Sequence, residues 1–394
     1  MEKKITILTI VLLVSVGFVS CKQSVSQNDD FITVGVTTSY PEKELILQDF
    51  MDVEYIALET TDDFLTQGIV LDIGKEILLV RNQSDDGNIF VYERTGKGLR
   101  IINRKGQGGE EYANLSFSEV TLDEENNEIF INGYVRANNI LVYDLYGNFK
   151  RSIPKREGTN YRSLRIFDRE HLIGREKTTE IDEKSTESQP FVIISKKDGS
   201  LVKDIRISFE QGINAKVTQR DGMFSFNVYD NSLSIFPFHD SWLLAELSSD
   251  TIFRLLSDYS ITPFMARTPS VQSMNPEIFL FPVILTDRYY FLETMKKEIE
   301  ESPGGIFPRT NLTYDRQENT IYRYTICNDD YATKKTLNFR ANNSNSEIAF
   351  WQKIEAHELI EANEKGELKG KLKELTEELD DDPNPVIMLV KNRK

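Results

Sequence analysis

Two stretches of this chain are nearly the same sequence. Residues 88–96 read NIFVYERTG, and residues 139–147, 51 positions later, read NILVYDLYG. A weaker third copy, FVIISKKDG, ends at Gly199, 52 positions after Gly147. A repeat of about 50 residues that contains a strand and a tight turn is typical of the blades of a β-propeller. The repeat therefore predicts an all-β propeller.

Each repeat contains four short apolar runs, separated by breaks that hold Gly, Asn or Asp, as expected for a four-stranded antiparallel blade. In the first repeat the runs are residues 69–73, 76–80, 89–92 and 99–102. Gly96, Gly147 and Gly199 fall where a tight turn joins the third strand to the fourth. We expect glycine there because such turns need a residue that tolerates positive φ.

The length of the chain sets the number of blades. Residues 53–394, less about 31 residues for a helical segment, hold about six repeats of roughly 52 residues. A propeller ring closes when strands from both chain ends pair in one blade, which removes exposed sheet edges. The apolar runs 53–58 and 386–390 are the expected pair. We therefore predict a six-bladed β-propeller over residues 51–394, closed by its N- and C-terminal strands.

A small helical insertion is predicted near the C-terminus, at about residues 351–380. Leu368, Leu372, Leu375 and Leu379 recur at helical spacing among Lys and Glu residues, which gives a narrow apolar stripe. We expect this stripe to pack on the propeller. Binding of a partner helix is the alternative.

The N-terminus predicts export and acylation. Lys3 and Lys4 precede an apolar run, residues 5–19, that is short for a membrane-spanning helix and is followed closely by Cys21. This position of the cysteine resembles a bacterial lipobox, in which the signal is cut before a cysteine that is then acylated. Residues 1–20 are therefore predicted to be a lipoprotein signal peptide, and residues 21–50 a lipidated tether. An ordinary cleaved signal is the alternative.

Charge and cysteine content limit the partners. The formal net charge of −16 repels phosphate backbones, and no basic stripe interrupts the acidic surface, so nucleic acid is excluded as an expected partner. With Cys21 acylated, only Cys327 remains, and no intramolecular disulfide is expected. The expected partners are the membrane, through the lipid, and an envelope protein or glycan. We expect a monomer without a cofactor.

A glycine-rich segment, RKGQGGEEY at residues 104–112, is the one candidate ligand loop. It lacks the Gly-Lys-Ser/Thr end and the following helix of a phosphate-binding loop, so a blade connection is the main interpretation. Because such a connection leads into the innermost strand of the next blade, it is expected near the central channel. Arg104, Gln107, Glu110 and Tyr112 are therefore the candidate ligand-binding residues.

Several motifs together resemble a known family. They are the lipobox, VEYIALET at residues 53–60, the glycine-rich loop, and DDPNPVIMLVK at residues 381–391. This combination resembles the six-bladed β-propeller lipoproteins of Gram-negative anaerobes, relatives of NHL-repeat propellers. The resemblance implies a propeller fold and an outer-membrane lipoprotein. The residues after Cys21 carry acids only at Asp29 and Asp30, which favours the periplasmic side, with the cell surface as the alternative.

No catalytic residues can be assigned from the sequence. The three histidines are scattered outside any metal-binding pattern, the acidic run 123–128 is interpreted as a turn, and no metal site is expected. The favoured hypothesis is a non-enzymatic propeller that binds an envelope protein or glycan. A calcium-dependent hydrolase or lactonase is the alternative. A third hypothesis is a sugar sensor, which requires an exposed aromatic platform, whereas the pattern predicts that Trp242 and Trp351 are buried.

Overall fold

The computed structural model describes residues 31–134, 138–177, 186–221, 224–229, 234–298, 307–340, 347–379 and 383–393. Three helices occur in these residues, α1 (Leu47–Phe50), α2 (Ala356–Glu364) and α3 (Gly370–Glu377), with one 3-10 turn at Val271–Ser273. The strands, in chain order, are β1 (Ile32–Gly35), β2 (Glu42–Ile46), β3 (Met51–Ala57), β4 (Ile69–Ile73), β5 (Ile77–Arg81), β6 (Asn88–Glu93), β7 (Gly98–Asn103), β8 (Ser118–Asp123), β9 (Glu128–Gly133), β10 (Asn139–Asp144), β11 (Phe149–Pro154), β12 (Asn160–Ile166), β13 (His171–Lys177), β14 (Phe191–Ser195), β15 (Leu201–Ile205), β16 (Lys216–Asp221), β17 (Phe224–Tyr229), β18 (Ile235–Phe238), β19 (Ser241–Leu244), β20 (Thr251–Leu255), β21 (Ile261–Thr268), β22 (Ile278–Leu285), β23 (Tyr289–Lys296), β24 (Arg309–Asp315), β25 (Thr320–Asn328), β26 (Lys335–Leu337), β27 (Ile348–Ile354) and β28 (Val386–Asn392).

The strands form a ring of six blades, which confirms the predicted propeller. Blades 1, 2 and 3 are β4–β7, β8–β11 and β12–β15; blades 4 and 5 contain β18–β21 and β22–β25; blade 6 contains β27, β28 and β3. The first strand of each blade is innermost. Innermost strands of successive blades contact each other, β4 with β8, β8 with β12, β18 with β22, β22 with β27 and β27 with β4.

The core lies between the blades, so each middle strand is buried on both faces. In β5, Leu78 and Val80 pack towards blade 6, where they meet Leu389, while Leu79 packs towards blade 2 against Ile129. This two-sided burial explains why the middle strands read as continuous apolar runs instead of alternating ones. Equivalent clusters fill the other junctions between neighbouring blades.

The glycine turns are confirmed, and the structure shows why glycine is needed. Gly96, Gly147 and Gly199 have φ values of 91°, 81° and 75° in the turns between the third and fourth strands. Each turn also lies against the preceding blade. A Cβ atom at Gly147 would be 2.7 Å from Ile102, and one at Gly199 would be 2.6 Å from Ile153. Glycine therefore allows both the turn and the close approach of two blades.

The predicted closure is also confirmed. In blade 6, β28 pairs antiparallel with β3 from Val386 opposite Ala57 to Asn392 opposite Met51. On its other edge, β28 pairs with β27. The C-terminal strand therefore lies between the innermost strand of its blade and a strand from the N-terminal part of the chain.

The tether predicted at residues 21–50 is too long, because strands that pair with the propeller already begin at Ile32. Residues 32–35 form β1, which pairs parallel with β21 on the outer edge of blade 4, and residues 42–46 form β2, which pairs parallel with β25 of blade 5. Ile32, Val34 and Leu45 are buried there. These strands cover two blade edges that would otherwise expose unpaired backbone groups. The signal peptide, Cys21 and residues 22–30 lie outside the described residues.

Two further boundaries differ from the prediction. The apolar run Phe224–Tyr229 predicts a strand of blade 4, but it pairs with Lys216–Asp221 in a separate hairpin. The innermost strand of blade 4 is instead β18, which contains Pro237. Proline is tolerated because the inner edge of that strand needs no ladder hydrogen bond. Residues 351–354 belong to β27, so the helical insertion is shorter than expected.

The apolar stripe of the insertion packs on the propeller, as predicted. Leu372 of α3 and Leu359 of α2 share a buried cluster with Met388 of β28, and Leu368, which precedes α3, is buried in the same cluster. Leu375 and Leu379 are partly buried against it. The insertion therefore covers the junction of blades 5 and 6.

Candidate functional site

The glycine-rich connection and one blade hairpin meet at the same end of blade 2. In an up-and-down blade, the connection that enters the innermost strand lies at the same end as the connection between the second and third strands. The connection therefore lies beside the ends of β9 and β10: the Tyr134 amide donates to the Phe117 carbonyl at 2.9 Å, and Asn138 lines the same cleft as the loop. We call this end of the ring the cleft face.

Tyr112 anchors the loop. Its hydroxyl donates to the Gly87 carbonyl at 2.6 Å and accepts from the Arg104 amide at 2.9 Å. Its ring packs edge-on against Tyr143, whose hydroxyl donates to the Glu110 carbonyl at 2.6 Å. Burial raises the pKa of Tyr112 to about 12, so this phenol stays protonated at neutral pH. Tyr112 therefore acts as a fixed anchor of the loop.

The other three predicted ligand residues have different positions. The Arg104 side chain points to the turn between β10 and β11 of blade 2, where its Nε donates to the Gly147 carbonyl at 2.7 Å. Glu110 is exposed and contributes its carbonyl to Tyr143. Gln107 is exposed and lines a cleft, together with Tyr112. The structure thus brings Gln107 and Tyr112 to one site, while Arg104 and Glu110 hold the loop from outside it.

The cleft has a volume of about 410 Å³. Ile131 and Leu141, from the second and third strands of blade 2, contribute apolar side chains to it, so it lies over the blade itself. The position of the glycine-rich loop in the sequence predicted a place near the central channel. In the structure the loop lines a cleft that lies over blade 2. Among the described lining residues, Glu111 is the one charged side chain, and its carboxylate accepts from the Gly108 amide at 2.8 Å. The described residues that line the cleft are Gly106, Gln107, Gly108, Gly109, Glu111, Tyr112, Ala113, Asn114, Phe117, Ser118, Ile131, Gly133, Asn138, Asn139 and Leu141.

Sequence reasoning missed the aromatic side chain of this cleft. Phe117 is 61% exposed, which is unusual for so large an apolar group, and it lines the same cleft as Gln107, Asn138 and Asn139. The two tryptophans offer no such platform, because Trp242 is only 9% exposed and Trp351 is half-buried. The sequence offers no signal for Phe117 beyond its position, as an aromatic residue just before the innermost strand of a blade.

The acidic run 123–128 forms a turn, as predicted. Asp123 pairs with Lys196 at 2.6 Å, and Glu128 accepts from both terminal nitrogens of Arg151. Glu124 accepts from three backbone amides at residues 75–77. These carboxylates are engaged by protein donors. Within the described ranges, no group of three His, Cys, Asp or Glu side chains is placed to hold a metal ion.

The described part of the chain has no helix that combines the length and apolar character needed to cross a membrane.

Comparisons with known proteins support the fold and identify the family. No curated protein matches the chain. A putative exported protein from Bacteroides fragilis, known from its crystal structure, is 16% identical, with a TM-score of 0.57 over 92% of this chain and all of the other. A protein of unknown function from Bacteroides caccae is 12% identical, with a TM-score of 0.34 over 72% of this chain and 80% of that one. A streptogramin B lyase structure is 10% identical, with a TM-score of 0.30 over 72% and 94% of the two chains.

Of these structures, the Bacteroides fragilis protein is similar enough to support the propeller fold independently of the strand pairing described above. A family model then matches residues 31–391, from the strand that covers blade 4 to the strand that closes the ring. Because this match includes all six blades, the chain belongs to the family described as Domain of unknown function (DUF4934).

Proposed function

We propose that this protein is an envelope lipoprotein that binds a glycan in the cleft of blade 2 without chemically changing it. The observation that carries the proposal is the exposed Phe117 in a cleft that Gln107, Asn138 and Asn139 also line. A volume of about 410 Å³ lies within the usual range for small-ligand sites, about 300–1,000 Å³.

The chemistry of the lining suits a sugar. Asn and Gln amides each offer two donors and an acceptor without a charge, which matches the paired hydroxyl groups of a sugar ring. An aromatic face packs well against the C–H face of such a ring. Within the described residues, the side-chain amides of Gln107, Asn138 and Asn139 make no hydrogen bond to the protein, so they are available to a ligand.

The binding proposal is tested by replacing Phe117 with alanine. Because an aromatic platform contributes about 1–2 kcal/mol, we expect glycan affinity to fall about tenfold. Binding would be found on an array of bacterial and host glycans and then measured by isothermal titration calorimetry. Tyr146→Ala is the matched control, since Tyr146 is 71% exposed but lies in the β10–β11 turn, at the opposite end of the blade. Equal losses in the two variants, or no binding to any glycan, would contradict the proposal.

The anchor is proposed on the sequence of the N-terminus. Acyl chains on Cys21 would contribute about 0.8 kcal/mol per buried methylene, and two or more chains hold a protein stably on a membrane. The outer membrane, on its periplasmic side, is the location that we propose.

Replacing Cys21 with serine tests the anchor. We expect the wild-type protein in the membrane fraction and labelled with a palmitate analogue, and the Cys21→Ser variant unlabelled and outside that fraction. Cys327→Ser is the control, because Cys327 is buried in the propeller and is the only other cysteine. A membrane-bound, labelled Cys21→Ser variant would refute acylation at this residue.

A further inference from the structure

A pair of basic side chains lies on the cleft face between blades 2 and 3. Lys155, just after β11, is only 8% exposed. Its ammonium donates to the Gly133 carbonyl at 2.6 Å and to the Asn160 side-chain oxygen at 2.9 Å. Both acceptors are neutral. The ammonium has three N–H donors, so one of them is left after these two bonds.

Other buried basic side chains in the described residues have a carboxylate partner. Lys196 pairs with Asp123 at 2.6 Å, and Arg267 pairs with Asp250 at 3.0 Å. A buried cation without such a partner loses hydration that neutral oxygens only partly replace. Lys155 therefore lacks the carboxylate partner that the other buried basic side chains of the described residues have.

Arg162, from the innermost strand of blade 3, adds a second positive charge. Its guanidinium lies 3.5 Å from the centre of the Tyr134 ring and is partly exposed. Burial, together with the nearby charge of Arg162, lowers the pKa of Lys155 to about 8, although Glu119 acts in the opposite direction. Among the described residues, Arg162 forms no ion pair with a carboxylate.

Glu119 is the carboxylate whose charge acts on Lys155, and its oxygens already accept hydrogen bonds. They accept from the backbone amides of Ser163 at 2.8 Å and Leu164 at 3.0 Å, and from the Asn132 side chain at 3.4 Å. Burial raises the pKa of the Tyr134 phenol, so this group remains neutral. With both cations protonated, the cluster carries a net charge of about +1 within a protein of net charge −16.

The cluster and the cleft share one segment of backbone. Gly133 and Asn138 both line the cleft. The Gly133 carbonyl accepts from the ammonium of Lys155, and the Asn138 carbonyl accepts from the backbone amide of Lys155 at 2.8 Å. Lys155 is therefore bonded to two residues of the cleft lining, and a ligand bound in the cleft lies close to its charge.

We propose that Arg162 and Lys155 form a subsite for the carboxylate of an acidic sugar, so that the bound glycan contains uronic acid. This inference rests on the proposed glycan-binding function. Arg162 is the contact residue, because its guanidinium is partly exposed and suits a planar carboxylate. Lys155 is a positioning residue that adds positive charge from beneath the surface.

The test compares two probes that differ only in charge. Trigalacturonic acid and its methyl ester are titrated into the wild-type protein by calorimetry at low salt. A charge-assisted contact contributes about 1.5–3 kcal/mol, so we expect the acid to bind at least about tenfold more tightly than the ester. Arg162→Gln and Lys155→Met should reduce this preference to about threefold or less. Lys203→Met, on the exposed outer strand of blade 3, should leave it unchanged.

A second readout is uptake of protons. At a pH near 9 part of the Lys155 population is unprotonated, because burial lowers its pKa to about 8. A carboxylate bound nearby raises that pKa, so binding of the acid takes up protons, which titrations in two buffers of different ionisation enthalpy detect. The ester should take up none, and Lys155→Met should abolish the uptake. A purely structural role of Lys155 would leave no such signal.

The outcomes separate the two proposals. Equal affinity for acid and ester, with binding that still depends on Phe117, would overturn the acidic subsite and leave glycan binding in place. Binding of neither probe, together with an empty glycan array, would overturn both proposals. Preference for the acid that survives both substitutions would overturn the assignment to these residues.

Discussion

A Gly96→Ala variant is expected to lose about 2–5 kcal/mol of its free energy of unfolding. Gly96 has a φ of 91°, which costs a residue with a side chain about 1–2 kcal/mol. The added Cβ would also lie 1.9 Å from the Ala57 carbonyl oxygen, which belongs to the closing strand β3. Because that atom is backbone, blades 1 and 6 must separate to relieve the contact, and this adds about 1–3 kcal/mol.

Two other glycines serve as matched controls for this substitution. Gly158 has a φ of 72°, but no atom lies within 4 Å of the Cβ position, so Gly158→Ala should lose only the conformational part, about 1 kcal/mol. Gly109 has open space and no positive φ, so Gly109→Ala should be nearly neutral. Urea denaturation gives all three values. A loss at Gly96 no larger than that at Gly158 would show that the turn does not touch blade 6 closely.

A chain that ends at residue 385 is expected not to form a stable propeller. It lacks β28, which pairs with β27 on one edge and with β3 on the other. Five consecutive side chains of that strand are buried, and Leu389 alone should contribute about 2–5 kcal/mol. The combined contribution of the five buried side chains is comparable to the whole free energy of unfolding of a typical domain, about 5–15 kcal/mol. We therefore expect aggregation or rapid proteolysis in place of a cooperative unfolding transition.

A chain that ends at residue 392 is the control for this truncation. This chain keeps β28. It loses the hydrogen bonds that Arg393 donates to the Asp52 carboxylate and to the carbonyls of Gln48 and Asp49, and all three bonds are exposed to solvent. Its melting temperature should fall by only a few degrees. A cooperative transition in the chain that ends at 385 would mean that blade 6 is dispensable.

The repeat predicted the strands of blades 1 and 2, which resemble each other in sequence. It did not predict all the strands of the blades whose sequences differ. In blades 1 and 2 the turn glycines and the two-sided apolar strands are local signals, so they can be recognised along the chain. Strand β18 was missed because the apolar run Phe224–Tyr229 also suits a strand of blade 4, and the sequence alone does not show that this run pairs in a separate hairpin. Strands β1 and β2 were missed because their partners, β21 and β25, lie more than 200 residues away in the sequence.

The candidate site shows the same limit. The loop with Gln107 and Tyr112 was identified from its glycines, but the partner of the Arg104 side chain depends on the position of blade 2. Phe117 has no sequence signal that distinguishes it from the buried aromatic residues of the blades. Lys155 and Arg162 are adjacent only because a turn brings β11 to β12, and their lack of a carboxylate partner is a property of the folded protein.

The most direct test of the closed ring is a disulfide between its two ends. Asp52 in β3 lies opposite Lys391 in β28, and antiparallel partners have Cα atoms about 4.5–5.5 Å apart, as a disulfide requires. An Asp52→Cys, Lys391→Cys variant should cross-link almost completely under mild oxidation, with higher mobility on a non-reducing gel. An Asp52→Cys, Lys203→Cys variant, whose second cysteine lies on blade 3, should not. Engineered cysteines that stay unpaired in the first variant, where only the buried Cys327 should remain as a thiol in the propeller, or equal cross-linking in both variants, would contradict a ring closed by its two ends.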